Sequence, residues 1–437
     1  MTAILEHQLI GRLVSALPRS PAQRNRLHET DAELVSLPGS DTILAVTTDG
    51  LVEELATGLY RDPWHIGWML VMVNASDLAA VGAEPLGLVL CESLPSDTAL
   101  EWVDALQRGI ADAAIVSGLG VLGGDTNTSA QVTLVATALG VLRGPPPLTR
   151  RGARPGDVLY ASARLGTGGA YALARMLAPH GDVAPPFRPA ARLAEGRLLR
   201  GRATACMDTS DGAFATLDEL MELNGVGFRL DTPLEAWTDR HAVELVRSAD
   251  LAPWMLHAGP HGEYELLFTA SPGRERDLLR AAAQIGWTPV RLGTTVEEPG
   301  LELSLDGTMQ AMDTRRIRNL FAECGGDPRE YVERLMRLDG RDGRDGHSAS
   351  AAQSTATQAG TCSTSRRGGA TRSDPIGMLA RDRLSDRILS AAAPCATESP
   401  PVPAGRAPPD RPRVRPGSPS RSGVCCGCPR ADRHPAG

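Results

Sequence analysis

Gly144-Pro145-Pro146-Pro147 can continue neither a helix nor a strand, because consecutive prolines remove amide donors and lock φ. A chain of 437 residues broken there has to build two cores, one on each side. Before the break, residues 43–46 and 86–90 read as strands, with a helical stretch over 63–81 between them. Residues 97–117 predict a helix that opens on Ser96 as N-cap, with acidic residues in its first turn. Residues 131–141 are strongly β-forming. After the break come strand 157–161, a glycine-rich turn over 166–169 and helix 170–177. Helix 211–223, strand 226–230, helix 242–248, strand 266–269, helix 273–285 and a β region near 290–305 follow. The alternation predicts an α/β fold in two domains, 1–147 and 148–325.

Beyond about Gly340 the chain is rich in Ser, Ala, Pro, Arg and Gly. Such a composition buries too little apolar surface to fold, so residues 340–437 are expected to be a disordered tail. That tail holds 15 arginines against 8 acidic residues, which leaves the body more acidic than the overall −7. An acidic body argues against a nucleic-acid partner. There is no apolar run of 18 residues and no basic-then-apolar leader, so neither membrane nor secretion is expected; a cytoplasmic enzyme is. Five of the eight cysteines lie in the tail, and Cys91, Cys206 and Cys324 are isolated. No disulfide framework is implied. Cys425, Cys426 and Cys428 lack the further ligands that a zinc site needs. The chain has no lysine at all, which closes the P-loop route to phosphate.

Another route is open. Asp49 in Thr47–Val52 (TTDGLV) sits at the end of a predicted strand, where α/β folds gather ligands. Asp77 in Val73–Pro85 (VNASDLAAVGAEP) is expected to cap or enter a helix start, with small residues after it for close packing. Gly123-Gly124-Asp125-Thr126 offers two flexible backbones and a carboxylate just before a strand. Asp208 and Asp211 in Asp208–Gly212 (DTSDG) stand three apart with Ser210 between them, at the head of a helix whose amides attract an anion. An ordinary helix cap, with Asp218 and Glu219 further along merely solvated, would explain one of these two acids but not both. Several carboxylates meeting beside free amides suit Mg²⁺ carrying a polyphosphate.

The order and wording of these blocks resemble the ATP-binding superfamily of aminoimidazole ribonucleotide synthetase, and within it the thiamine-monophosphate kinases. The resemblance covers roughly residues 27–310. It implies an N-terminal mixed sheet that dimerises, a C-terminal α/β domain, and ATP with Mg²⁺. It makes Asp49, Asp77, Asp125, Asp208 and Asp211 metal ligands, and Gly123, Gly124, Asp125, Arg150 and Ser210 nucleotide contacts. Arg150 lies in Leu148–Asp157 (LTRRGARPGD), and Arg188–Arg192 (RPAAR) resembles a second arginine stretch.

The departures lie elsewhere. The Gly-Asp-Asp loop of the family is replaced by Glu29-Thr30-Asp31, where Asp31 or Glu29 substitutes. A substrate-contacting histidine falls near Ala56, and a substrate-binding glutamate falls on Gly262, with Glu263 beside it as the replacement. No aromatic residue over 312–321 matches the family's C-terminal one. The resemblance therefore implies phosphoryl transfer from ATP to a small phosphate acceptor, thiamine monophosphate first, in a homodimer without nucleic acid or membrane. The alternatives are an ATP-using relative with another acceptor, or a nucleotide-binding protein without turnover. Selenophosphate synthetase is disfavoured by the lack of an N-terminal reactive cysteine. The hydrogenase-maturation dehydratase is disfavoured by the ending Pro435-Ala436-Gly437.

Overall fold

The computed structural model describes residues 6–178 and 184–338. The expectation of a disordered tail over 340–437 and the CCGC cluster fall outside the described residues.

Before the proline break, strands β1 (Glu33–Ser36), β2 (Ile43–Gly50), β3 (Glu84–Leu94), β4 (Val121–Thr128) and β5 (Thr133–Leu142) form one sheet in the order β1-β2-β5-β3-β4. The sheet is mixed: β3 and β4 run parallel, and the other pairs are antiparallel. After the break, β6 (Val158–Ala161), β7 (Ala205–Asp208), β8 (Gly227–Leu230), β9 (Leu266–Ala270), β10 (Val290–Val296), β11 (Leu301–Leu305) and β12 (Thr308–Met312) form a second sheet. Its order is β12-β11-β8-β10-β6-β9-β7, with β8 and β11 parallel.

The helices in the first half are α1 (Glu6–Ser15), α2 (Glu53–Ala56), α3 (Pro63–Ala80) and α4 (Leu100–Ser117). Those in the second are α5 (Thr167–Leu177), α6 (Leu193–Leu199), α7 (Ala213–Asn224), α8 (Leu234–Trp237), α9 (Arg240–Ser248) and α10 (Pro272–Gln284), then α11 (Thr314–Glu323) and α12 (Pro328–Leu338).

Helix α3 explains why the two halves meet. It is apolar on all sides, and every residue from Ile66 to Ala80 except Asp77 is buried. It packs on β2 and β5 of the first sheet, on β7 of the second, and on α4 and α6. Small residues set the distance to α4. A Cβ on Gly67 would come within 2.1 Å of the Leu106 carbonyl oxygen, and one on Gly109 within 1.9 Å of that of Trp64. Either Gly→Ala change would force the helices apart.

One face of the first sheet carries this helix, through Ala45, Thr47, Leu134, Ala136 and Ala138. The alternate residues face away, and Leu86, Val89 and the whole of β4 are exposed. The sequence expectation placed Gly123–Asp125 in a turn before a strand. They lie inside β4 itself, paired with Val89, Leu90 and Cys91 of β3. Glycine, aspartate and asparagine disguise it, because they are poor strand formers.

Candidate functional site

The first acid comes from β2. Asp49 is its penultimate residue, and its amide donates to Asn74 Oδ1 of α3 at 3.1 Å. Asp77 comes from the last turn of α3, not from a helix start as the sequence suggested. The helix runs on through Asp77 because nothing in VNASDLAA interrupts a buried apolar run. Its carboxylate therefore stands near the negative end of a helix dipole. Thr47 Oγ1 donates to it at 2.5 Å. Asp208 ends β7 and Asp211 lies in the turn before α7, so the DTSDG block does head a helix. Asp208 accepts from Ser76 Oγ at 2.6 Å and from Ser210 Oγ at 3.2 Å. Ser76 and Asp77 are consecutive on α3, so one helix turn touches both sheets.

Asp31 closes the group. Carboxylate oxygens of Asp31, Asp77 and Asp208 all lie within 4.8 Å of one another. Glu29, the other substitute for the missing loop, instead accepts from the Arg26 amide at 2.7 Å in its own turn. Arg150 Nη2 donates to Asp31 Oδ1 at 3.0 Å. Asp31 Oδ2 is buried and has no hydrogen-bond partner.

Three carboxylates so close cannot all ionise without a countercharge. Burial, then the charges of Asp49, Asp208 and Asp31, pushes Asp77 well above the usual carboxylate range. Burial and the Asp31 charge raise Asp208 to about 7. An orphaned acceptor, a trio of carboxylates and, among the described residues, a single guanidinium lining the same cleft make a donor set that fits a hard divalent cation.

These acids line a polar cleft of about 620 Å³, together with Asp49, Ser210, Asp211, Arg150, Glu53, Glu54 and His261. Six of the acids and contacts read from the sequence thus converge with Asp31: Asp49, Asp77, Asp208, Asp211, Ser210 and Arg150.

Gly123, Gly124 and Asp125 do not join them. Across the sheet, Asp49 is level with Ala136, Leu90 and Gly124, three strand spacings or roughly 14 Å away. Asp125 is level with Cys91 and Val135, and so points to the opposite, uncovered face. There Asn127 Nδ2 donates to it at 2.8 Å.

Glu263 also lies off the cleft. Its carboxylate accepts from Thr167 Oγ1 and the Gly168 amide, both at 2.9 Å, and from the Gly169 amide at 3.1 Å. It caps the first turn of α5, which begins within the expected glycine turn. Gly262 is a packing residue: a Cβ there would lie 1.5 Å from the Thr209 carbonyl oxygen. No side chain fits, because this loop is pressed against the DTSDG turn.

The two arginine motifs divide by role. Arg150 reaches the cleft. Arg188 stacks on Trp68 with its guanidinium carbon 3.9 Å from the ring centre, and Arg192 pairs with Glu265 at 2.5 Å, so both brace the scaffold.

A less polar pocket opens beside the acids, lined by Glu53, Glu54, Leu59, Met176, His261 and Phe321. Phe321 is an aromatic residue at the site that sequence reasoning missed. It belongs to α11, whose strongly amphipathic pattern RRIRNLFAE was the available signal. Burial, helped by His65, pushes His261 down to about 3, so its ring is neutral at physiological pH.

Comparison with known proteins decides the family. Residues 29–142 match the model of the AIR synthase related protein N-terminal domain, and 154–306 match that of the C-terminal domain. The thiamine-monophosphate kinase of Methanospirillum hungatei JF-1 is 31% identical over 284 residues, spanning 63% of this chain and 91% of that protein. The chain belongs to the AIR synthase related family, in its thiamine-monophosphate kinase branch. Solved structures share its fold. The thiamine-monophosphate kinase of Stenotrophomonas maltophilia K279a superposes with a TM-score of 0.53 at 27% identity, covering 69% of this chain and 96% of that one. AaThiL complexed with AMPPCP and TMP gives 0.58 at 24% identity, covering 69% and 94%. Among the described residues, no helix of this family member is long and apolar enough to cross a membrane.

Proposed function

We propose that the chain transfers the γ-phosphoryl group of ATP to thiamine monophosphate with the help of Mg²⁺. The observation that carries this reading is the meeting of Asp31, Asp77 and Asp208 around a buried, unpartnered carboxylate oxygen. Asp49 and Asp211 in the same cleft complete the ligand set. When bound, divalent cations neutralise and align the phosphate oxygens for in-line displacement. Arg150 and Ser210 are the nucleotide contacts. The adjoining pocket with Phe321, His261, Glu53 and Glu54 takes the acceptor; Arg175, Asp327 and Arg329 line it too, so it offers both signs of charge to an acceptor that carries a cationic ring and a phosphate. The acceptor phosphate is already anionic, so the transfer needs no protein base; neutral His261 would be a weak one.

We further propose a homodimer formed through β4 and the uncovered face of the first sheet. Leu86, Val89, Val121 and Leu122 are between 40% and 58% exposed there, too much apolar edge to leave in water. In that arrangement Asp125 serves nucleotide only with a second copy present.

Calorimetry of Mg·ATP binding tests the site. Asp31→Asn should weaken binding at least about tenfold, since one charged ligand among crowded phosphates is worth more than about 1.4 kcal/mol. Unchanged affinity in Asp31→Asn would remove the acidic trio from the nucleotide site.

A further inference from the structure

Arg150 is held between two buried acids. Its Nη2 is 3.0 Å from Asp31 Oδ1, and its Nη1 is 3.9 Å from Glu219 Oε1. The side chains of Asp31 and Glu219 are only 1% and 3% exposed. Its backbone is fixed as well. The Arg150 amide donates to the Glu29 carbonyl at 2.8 Å, and Asn224 Nδ2 donates to the Arg150 carbonyl at 2.8 Å. Asn224 and Glu219 both belong to α7, the helix headed by the DTSDG block. The helix thus follows directly on the acids of the DTSDG block and holds Arg150 with its middle and end. Glu219 is itself gripped from the far side, by Arg318 Nη1 at 3.0 Å. Arg318 also reaches Asp218, which Thr314 Oγ1 of α11 binds at 2.8 Å. The charges alternate without a break: Asp31, Arg150, Glu219, Arg318, Asp218.

Asp31 cannot give both oxygens to a cation while Arg150 occupies one of them. A guanidinium leaving a buried carboxylate without a second acid at hand would be stranded, at a cost comparable to breaking a buried ion pair. Glu219 removes that barrier. We propose that Glu219 is the positioning residue on which Arg150 turns, holding the guanidinium when Asp31 is taken by a divalent cation and presenting it to the phosphates. This rests on the reading of Asp31, Asp77 and Asp208 as a cation site. Arg150 is then an internal competitor of the cation and an ally of the nucleotide, and Glu219 decides how readily it changes sides.

The signs of the effects follow. With Glu219 neutralised, Arg150 clings to Asp31, so cation and nucleotide both bind more weakly. With Arg150 removed, the cation binds better and the nucleotide worse. The test is calorimetric titration of full-length protein with Mn²⁺ alone, then with ATP at saturating Mn²⁺, for wild type, Glu219→Gln, Arg150→Met and the double variant. Glu219→Gln should lower Mn²⁺ affinity about tenfold, within the range of couplings between contacting charges. Arg150→Met should raise Mn²⁺ affinity while lowering that for ATP. In the Arg150→Met background, Glu219→Gln should no longer change Mn²⁺ affinity. An equal loss in both backgrounds would overturn the proposal and leave Glu219 a structural acid. Should Glu219→Gln fail to fold, Arg318→Leu replaces it: freed of its rival, Glu219 should hold Arg150 harder and raise Mn²⁺ affinity, and no change would count against the pivot. Wild-type protein that binds no Mn²⁺ would overturn the cation site and this proposal together, whereas Mn²⁺ binding indifferent to Glu219 would overturn the pivot alone.

Discussion

Asp208 shows what the site costs the fold when no cation is bound. Its carboxyl is raised from 3.8 to about 7, first by burial and then by Asp31. A raised carboxyl contributes stability that is fully present below the unfolded pKa and is lost as pH rises through the folded one. In chelator, wild-type protein should therefore lose stability relative to Asp208→Asn between about pH 4 and 7. The gap should reach a few kcal/mol, because each tenfold change in proton affinity is worth about 1.4 kcal/mol. Urea unfolding of both proteins across that range measures it, and Mg²⁺ should close the gap. Parallel pH profiles would mean that Asp208 is not under charge stress. The buried imidazoles of His257 and His261, both lowered to about 3, oppose this trend in each protein and cancel in the difference. Residue identities at the site were largely legible in the sequence, because aspartates next to small hydroxyl residues and glycines stand out. Their neighbours were not. Asp218 and Glu219 look like surface acids on a helix until α11 folds over them with Arg318. Gly262 looks like a lost glutamate until the backbone at Thr209 is seen to fill the space.

At the scale of elements, sequence pattern found the long apolar helix α3, the strands β2, β3, β5, β6, β8 and β9 and the β10–β11 region, and the proline run marked the break between the halves, but β1, β7 and β12 were not predicted. Pattern failed where composition and structure disagree. β4 has two glycines and an asparagine, so only its pairing with β3 makes it a strand. Asp77 was set at the head of a helix that in fact ends there, since a carboxylate near a helix C-terminus defies the usual dipole preference. That defiance makes sense if the charge is meant for a cation. The position of Asp125 separates two kinds of acid. Asp125→Asn should leave Mn²⁺ affinity unchanged, because the residue lies on the other face and roughly 14 Å along the sheet. It should weaken Mg·ATP binding only at protein concentrations where the dimer forms. Calorimetry paired with sedimentation checks this, and a loss of Mn²⁺ affinity in the variant would put Asp125 back in the acidic cluster.

At the scale of the molecule, the fold extends past the boundary that the sequence suggested at residue 325. Tyr331, Val332 and Leu335 of α12 are buried, and the Tyr331 hydroxyl donates to the Gly259 carbonyl at 2.5 Å. A chain ending at Leu338 should keep the melting temperature of the full protein. One ending at residue 325 should lose several kcal/mol, since each buried large side chain contributes about 1.5–3 kcal/mol. Thermal unfolding distinguishes the two, and equal stability of both truncations would make α12 dispensable. The central claim is that the acidic cleft and the pocket beside it form one phosphoryl-transfer site, with Phe321, Glu53 and Glu54 lining the pocket for the acceptor. Its most direct test is the conversion of thiamine monophosphate by Mg·ATP, followed from micromolar to millimolar acceptor. Thiamine diphosphate should form, and its formation should require Mg²⁺. No thiamine diphosphate at millimolar acceptor, from protein that still binds Mg·ATP, would contradict the account.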